Sequence, residues 1–134
     1  MRARRILETC LYADDLDAAE AFYGGILGLE RIMRDPVRHV FFRCGQGVLL
    51  IFDPKQTADD GKAPAHGARG PGHVTFAMSD GEIEPWRAWL RERGVDLERD
   101  VRWSEGGTSL YFRDPAGNSV ELATPGIWGL ADEG

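Results

Sequence analysis

Residues 5–13 alternate between two faces with the period of a strand, placing Glu8, Cys10 and Tyr12 on one side. The period then changes to that of a helix. Asp14 and Asp15 offer N-caps, and from Asp17 to Ile26 the residues Ala18, Ala21, Phe22 and Ile26 share a face. Gly24, Gly25 and Gly28 weaken and then end that helix. Strand patterns follow at 30–35, 38–44 and 47–53, the last two joined by the tight hairpin signal Cys44-Gly-Gln-Gly47.

Residues 54–70 break the pattern. They are polar, rich in Gly and Pro and aperiodic, a linker long enough to serve as a mobile lid. Periodicity resumes with a strand at 72–78, a helix at 82–93, and strands near 97–103, 107–113 and 118–123. Ser79 to Glu82 fits a capping box and Gly94 ends the second helix. Ile83, Trp86, Trp89 and Leu90 lie near one helical face, so both tryptophans read as core. In Asp114-Pro-Ala-Gly-Asn118, Pro sets φ while Gly and Asn accept positive φ.

The chain therefore reads βαβββ, linker, βαβββ, an internal repeat. Glu8 stands seven residues before Asp15, and His73 seven before Asp80. Phe41-Phe42-Arg43 recurs as Tyr111-Phe112-Arg113. At 134 residues, this predicts a single α+β domain spanning 1–134, with module one at 5–53, linker 54–70 and module two at 71–124.

Composition narrows the partners. A net charge of −6 disfavours nucleic acid and anionic membrane surfaces. No apolar run approaches the roughly 18 residues of a membrane span. Met1-Arg-Ala-Arg-Arg5 is basic but leads straight into a strand, without the apolar core of a signal peptide. Cys10 and Cys44 make neither a disulfide framework nor a zinc spacing, so a reducing cytoplasm is expected. Phosphate loops, CxxC and nucleophile-elbow motifs are missing.

The repeat suggests where chemistry would lie. A duplicated module can bring its two first strands together, each with one metal-competent side chain, here Glu8 and His73. Glu121 sits late in module two, in an apolar strand where an inward carboxylate needs a partner. Glu8, His73 and Glu121 thus form a candidate divalent-metal site. Its oxygen and nitrogen donors suit Mn²⁺, Mg²⁺, Ni²⁺, Zn²⁺ or Fe²⁺, with two carboxylates favouring Mn²⁺ or Mg²⁺. The alternative is a carboxylate hydrogen-bonded to His73 with no metal.

By alternation Cys10 and Tyr12 share the face of Glu8, Thr75 that of His73, and Ser119 that of Glu121. Cys10, Thr75, Trp103, Tyr111 and Arg113 are candidate cavity residues, the arginine as a clamp for an anionic group. Cys10 otherwise reads as a small buried residue. Tyr12 is a candidate proton donor or hydroxyl contact, and Glu121 a candidate base. His39 and His66 read as surface residues, His66 with the option of closing over the site from the linker. Trp128, after Pro125-Gly126, is expected to pack the C-terminal tail onto the body or a partner copy.

Tyr12-Ala-Asp-Asp-Leu16, Ala21-Phe-Tyr23, Ile26-Leu-Gly-Leu29, Gly72-His-Val-Thr-Phe76 and Tyr111-Phe-Arg-Asp-Pro-Ala-Gly-Asn-Ser-Val-Glu-Leu122 together resemble the vicinal oxygen chelate superfamily. This is the glyoxalase, bleomycin-resistance and ring-cleaving dioxygenase group. The resemblance spans essentially the whole chain. It implies paired βαβββ modules in an open, U-shaped mixed sheet around a cavity, and a homodimer. It places family ligand positions at Glu8, His73 and Glu121, and a fourth at Leu50 or Ile51, neither of which binds metal. That departs from four-ligand glyoxalase I and epimerase sites. Three ligands look more like fosfomycin-type thiol transferases or extradiol dioxygenases, which carry two His and one Glu where this chain has Glu8.

The expected function is accordingly a divalent-metal-dependent enzyme acting on a small oxygen-rich substrate, by lyase, isomerase or thiol-transfer chemistry. Two alternatives stay open: a metal-free drug-binding protein of the bleomycin-resistance type, and an extradiol-type dioxygenase.

Overall fold

The computed structural model describes residues 1–133. Its strands form two four-stranded mixed sheets, each with a parallel pair at one side and two antiparallel pairings after it. The described chain divides into two compact units, residues 1–72 with 115–117, and residues 73–114 with the stretch from 118 onward.

In the first unit the order is β1 (Glu8–Tyr12), α1 (Leu16–Ala21), β2 (Glu30–Arg34), β3 (His39–Cys44) and β4 (Gly47–Phe52). The sheet runs β1-β4-β3-β2, with β1 parallel to β4. Strand alternation turns Leu11, Val40, Phe42, Leu49 and Ile51 to one face, where each is almost fully buried. Leu16, Ala19, Phe22 and Tyr23 are the buried residues of α1 and the turn after it. Asp15 is the N-cap of α1: its carboxylate accepts from the Ala18 amide at 3.0 Å.

The helix expected over 17–26 is α-helical only to Ala21. Phe22–Ile26 winds as a π turn, with the Leu27 amide donating to the Phe22 carbonyl at 3.2 Å. Gly24-Gly25 lies within this turn, where glycine's weak preference for α winding lets the wider turn form. Residues 54–70 contain no strand or helix, as the composition suggested.

In the second unit β5 (His73–Ala77) leads to α2 (Ile83–Glu92), then β6 (Arg99–Arg102), β7 (Thr108–Arg113) and β8 (Ser119–Ala123). The sheet order is β5-β8-β7-β6, repeating the first. Val120, Leu122, Leu110, Phe112, Met78 and Leu90 make the buried face. The capping box at Ser79 and Glu82 is present, but it opens one 3-10 turn before α2 begins. Trp89 is not core: it stands 37 % exposed with the Arg93 guanidinium over its ring. In the Asp114–Asn118 turn only Gly117 takes positive φ; the Asn118 amide instead donates to the Asp114 carboxylate.

Among the described residues no helix is long and apolar enough to cross a membrane.

Candidate functional site

The face of the second sheet opposite its core carries the polar residues. β5 pairs in parallel with β8 so that Thr75 stands against Glu121, and β7 pairs with β8 so that Tyr111 also stands against Glu121. Three neighbouring strands therefore deliver Thr75, Glu121 and Tyr111 in one row, with His73 one step away on β5. Together with Trp103, Glu105, Ile127 and Trp128 they line a cavity of about 670 Å³. That is within the roughly 300–1,000 Å³ usual for small-molecule sites.

Hydrogen bonding fixes the floor. His73 Nδ1 lies 3.0 Å from the Ser119 carbonyl oxygen. A carbonyl only accepts, so Nδ1 carries the proton and donates. Nε2 then faces the cavity, 3.2 Å from Thr75 Oγ1 and 3.3 Å from Glu121 Oε2. The Thr75 hydroxyl donates to Glu121 Oε2 at 2.9 Å. Glu121 is 5 % exposed, so water does little to solvate its charge. Two acceptor atoms, Nε2 and Oε2, thus face each other with one hydroxyl proton between the three groups. A further positive charge satisfies both: a proton on the imidazole, or a metal ion bound by the two lone pairs.

Tyr111 completes the floor, its ring roughly parallel to that of His73 with centroids 6.4 Å apart. Burial, and then the neighbouring Glu121 carboxylate, push its phenol above the ordinary value. The group stays a protonated donor at neutral pH.

The first unit presents the repeat-equivalent face differently. Cys10 pairs with Leu50 and Phe41 with Leu50, as Thr75 and Tyr111 pair with Glu121. Leu50 is therefore the counterpart of Glu121. Ile51, the other option, is completely buried on the opposite face. Glu8 is exposed at the start of β1. Beyond Cys10 this face fills with rings. Phe52 packs edge-on to Phe41 and His66, and His39 stacks on Phe41 at 4.1 Å. Tyr12 Oη lies 2.6 Å from His66 Nδ1 and 3.7 Å from Cys10 Sγ. Burial, then the bond and charge of Cys10, push the Tyr12 phenol up to about 12.

His39 and His66 are accordingly packed, half-buried residues rather than surface ones, and His66 brings the linker onto Tyr12. Arg113 is outside the cavity lining and forks onto the Glu98 carboxylate at 2.9 and 3.2 Å. Trp128 does not pack the tail onto the body of its unit; it is 78 % exposed and lines the cavity. Sequence reasoning missed its role and that of Glu105. Both lie in turns, where no periodicity says which way a side chain faces.

Among the described residues no three His, Cys, Asp or Glu side chains gather as a ready metal cluster. His73 and Glu121 offer two donors of a type that suits a divalent ion, one nitrogen and one oxygen, both held by hydrogen bonds to a second layer.

A family model described as "Glyoxalase/Bleomycin resistance protein/Dioxygenase superfamily" matches residues 5–122. The chain is 38 % identical over 107 residues to the metallothiol transferase FosB of Staphylococcus epidermidis, covering 77 % of this chain and 70 % of that protein. It is 42 % identical to a crystal structure of lactoylglutathione lyase from Agrobacterium tumefaciens, with a TM-score of 0.93 over 97 % of this chain and all of that one. A glyoxalase/bleomycin resistance protein/dioxygenase from Nocardioides shares the fold, with a TM-score of 0.75 at 24 % identity over 92 % of this chain and 85 % of that one.

Proposed function

Since the chain belongs to the glyoxalase/bleomycin resistance protein/dioxygenase superfamily, we propose that it is a divalent-metal-dependent enzyme whose chemistry lies in the second-unit cavity. Its substrate would be a small oxygen-bearing molecule, transformed by lyase, isomerase or thiol-transfer chemistry as the names of its relatives suggest. The observation that carries this reading is the approach of His73 Nε2 to Glu121 Oε2, 3.3 Å apart on the cavity floor. His73 and Glu121 are the proposed metal-binding pair, and Glu8, the repeat counterpart of His73, is a further candidate that mutation tests. When bound, the ion supplies Lewis-acid polarisation of substrate oxygen.

The surrounding residues have distinct tasks. The Ser119 carbonyl holds the imidazole in the tautomer whose Nε2 lone pair faces the cavity. Thr75 orients the Glu121 carboxylate through its hydroxyl proton. Tyr111, kept protonated, donates a hydrogen bond to a substrate oxygen or the proton that oxygen acquires. Tyr12, the proton donor expected from the sequence, lies on the first unit outside this cavity, its hydroxyl against His66 Nδ1.

Metal analysis of protein purified without chelator, followed by Mn²⁺ titration, tests the proposal. Wild type should carry about one equivalent, and His73→Ala and Glu121→Gln should each weaken Mn²⁺ binding at least about 100-fold. Full retention of metal in both variants would overturn the assignment. Metal loss in Glu8→Ala would extend the ligand set to the first unit, while unaltered binding would remove Glu8 from it.

A further inference from the structure

The outer wall of the second-unit cavity is made by two indoles that the polar floor does not explain. Trp103 is 43 % exposed and Trp128 is 78 % exposed. Large apolar side chains left in contact with water around a polar floor mark a surface awaiting a ligand. Neither indole is a loose end. The Trp103 Nε1–H donates to the fully buried Ser109 hydroxyl at 2.8 Å, which fixes the ring plane. Trp128 ends a 3-10 turn, Pro125–Trp128, closed by Gly129 in the left-handed region.

The two indole-bearing segments are locked together. The hairpin after β6 is closed by the Trp103 amide donating to the Gly107 carbonyl at 3.0 Å. Gly107 has φ +92°, and a Cβ there would lie 2.4 Å from Ile127 Cγ2 and 2.9 Å from Thr124 Oγ1. Only glycine allows this approach of hairpin to C-terminal turn. The Thr108 amide bonds Thr124 Oγ1, and the Thr124 amide bonds the Thr108 carbonyl, both at 3.0 Å. The wall is preformed, so a ligand does not have to order it.

Charge sets the other half of the selectivity. The lining contains the carboxylates of Glu105 and Glu121 and no Lys or Arg. Arg113, the nearest candidate for a clamp in the sequence, is committed to Glu98.

We propose that Trp103 and Trp128 are specificity-determining residues that select a substrate with a planar apolar substituent, and that Glu105 and Glu121 select against an anionic one. The inference rests on the second-unit cavity being the substrate site. It does not require the metal.

Three soluble probes separate these features: 1-phenylethane-1,2-diol, propane-1,2-diol, which lacks the ring, and mandelate, which replaces the terminal alcohol with a carboxylate. Binding is measured by calorimetry and tryptophan fluorescence, on protein dialysed against EDTA and again after Mn²⁺ is returned. The phenyl diol should bind about tenfold more tightly than propanediol, in both metal states. Trp128→Ala should abolish most of that ratio, and Trp128→Phe should restore part of it. Because Trp128 is exposed, the alanine variant should fold, and circular dichroism checks this. Trp103→Phe should lower the ratio by a smaller factor. Without metal, mandelate should bind more weakly than the phenyl diol, and Glu105→Gln should narrow that gap. A wild-type ring preference near one, or a preference unmoved by Trp128→Ala and Trp103→Phe, would overturn the proposal. Ring selection without Mn²⁺ affinity would sink the metal reading and leave this one standing; the reverse result would do the opposite.

Discussion

The two units share a strand order, a pairing register and a buried face, yet their opposite faces have diverged. Where the second unit has His73, Thr75, Glu121 and Tyr111, the first has Glu8, Cys10, Leu50 and Phe41. One set is a hydrogen-bonded polar floor under an open cavity. The other continues into a cluster of rings, completed by His66 from the 54–70 segment. A duplicated fold thus keeps the core that makes each module stable and varies the face that does not. What separates them most is a single position on the last strand, a buried carboxylate in one and a leucine in the other.

The harshest way to break the comparison is to force the second unit's chemistry onto the first. Leu50→Glu places a carboxylate beside Phe41 without the Thr75-like donor that Glu121 enjoys. It should destabilise the protein by about 2 kcal/mol or more in urea denaturation at neutral pH. A neutral effect would mean that the first face tolerates charge as the second does. Next in size, Thr75→Val removes the hydroxyl that orients Glu121, and Mn²⁺ affinity should fall about tenfold. The matched change Cys10→Ser should leave that affinity within about twofold, because the Cys10 thiol is directed to the Tyr12 hydroxyl on the first unit.

Much of this asymmetry was legible beforehand. Strand alternation put Glu8, Cys10 and Tyr12 on one face, and the repeat gave the order of elements. The choice between Leu50 and Ile51 was not legible, since a period of two identifies a face only once register is known. Pairing with Cys10 and Phe41 settles it in favour of Leu50. The packing of His66 on Tyr12 was also hidden, because an aperiodic segment says nothing about where its side chains land. The same is true of Glu105 and Trp128, one in a hairpin and one past the last strand, whereas Trp103, a candidate from the sequence, does line the cavity. The π turn has a signal, Gly24-Gly25, but helical period alone makes it only a weak point in a helix.

His66→Ala tests the closed face more gently. Loss of the 2.6 Å bond to Tyr12 should lower stability by about 1 kcal/mol and speed proteolysis within 54–70. Unchanged proteolysis would mean that other contacts hold the segment. The smallest effect is alkaline. The Tyr12 phenol is raised from its ordinary value to about 12 in the folded protein, so folding favours the protonated form. Its contribution is full below the unfolded value near pH 10 and is lost as pH rises towards about 12. Absorbance titration at the phenolate band should show this late tyrosine, and Tyr12→Phe should remove it.

The chain has three histidines, two on the ring-filled face and one on the polar floor, and that makes a direct test available. Long-range proton–nitrogen spectra of the imidazoles, recorded during Zn²⁺ addition, report each ring separately. His73 should show a protonated Nδ1, and its Nε2 signal should move on metal binding while His39 and His66 keep theirs. A response centred on His39 or His66, or a His73 ring protonated at Nε2 and indifferent to metal, would contradict the placement of the chemistry in the second unit.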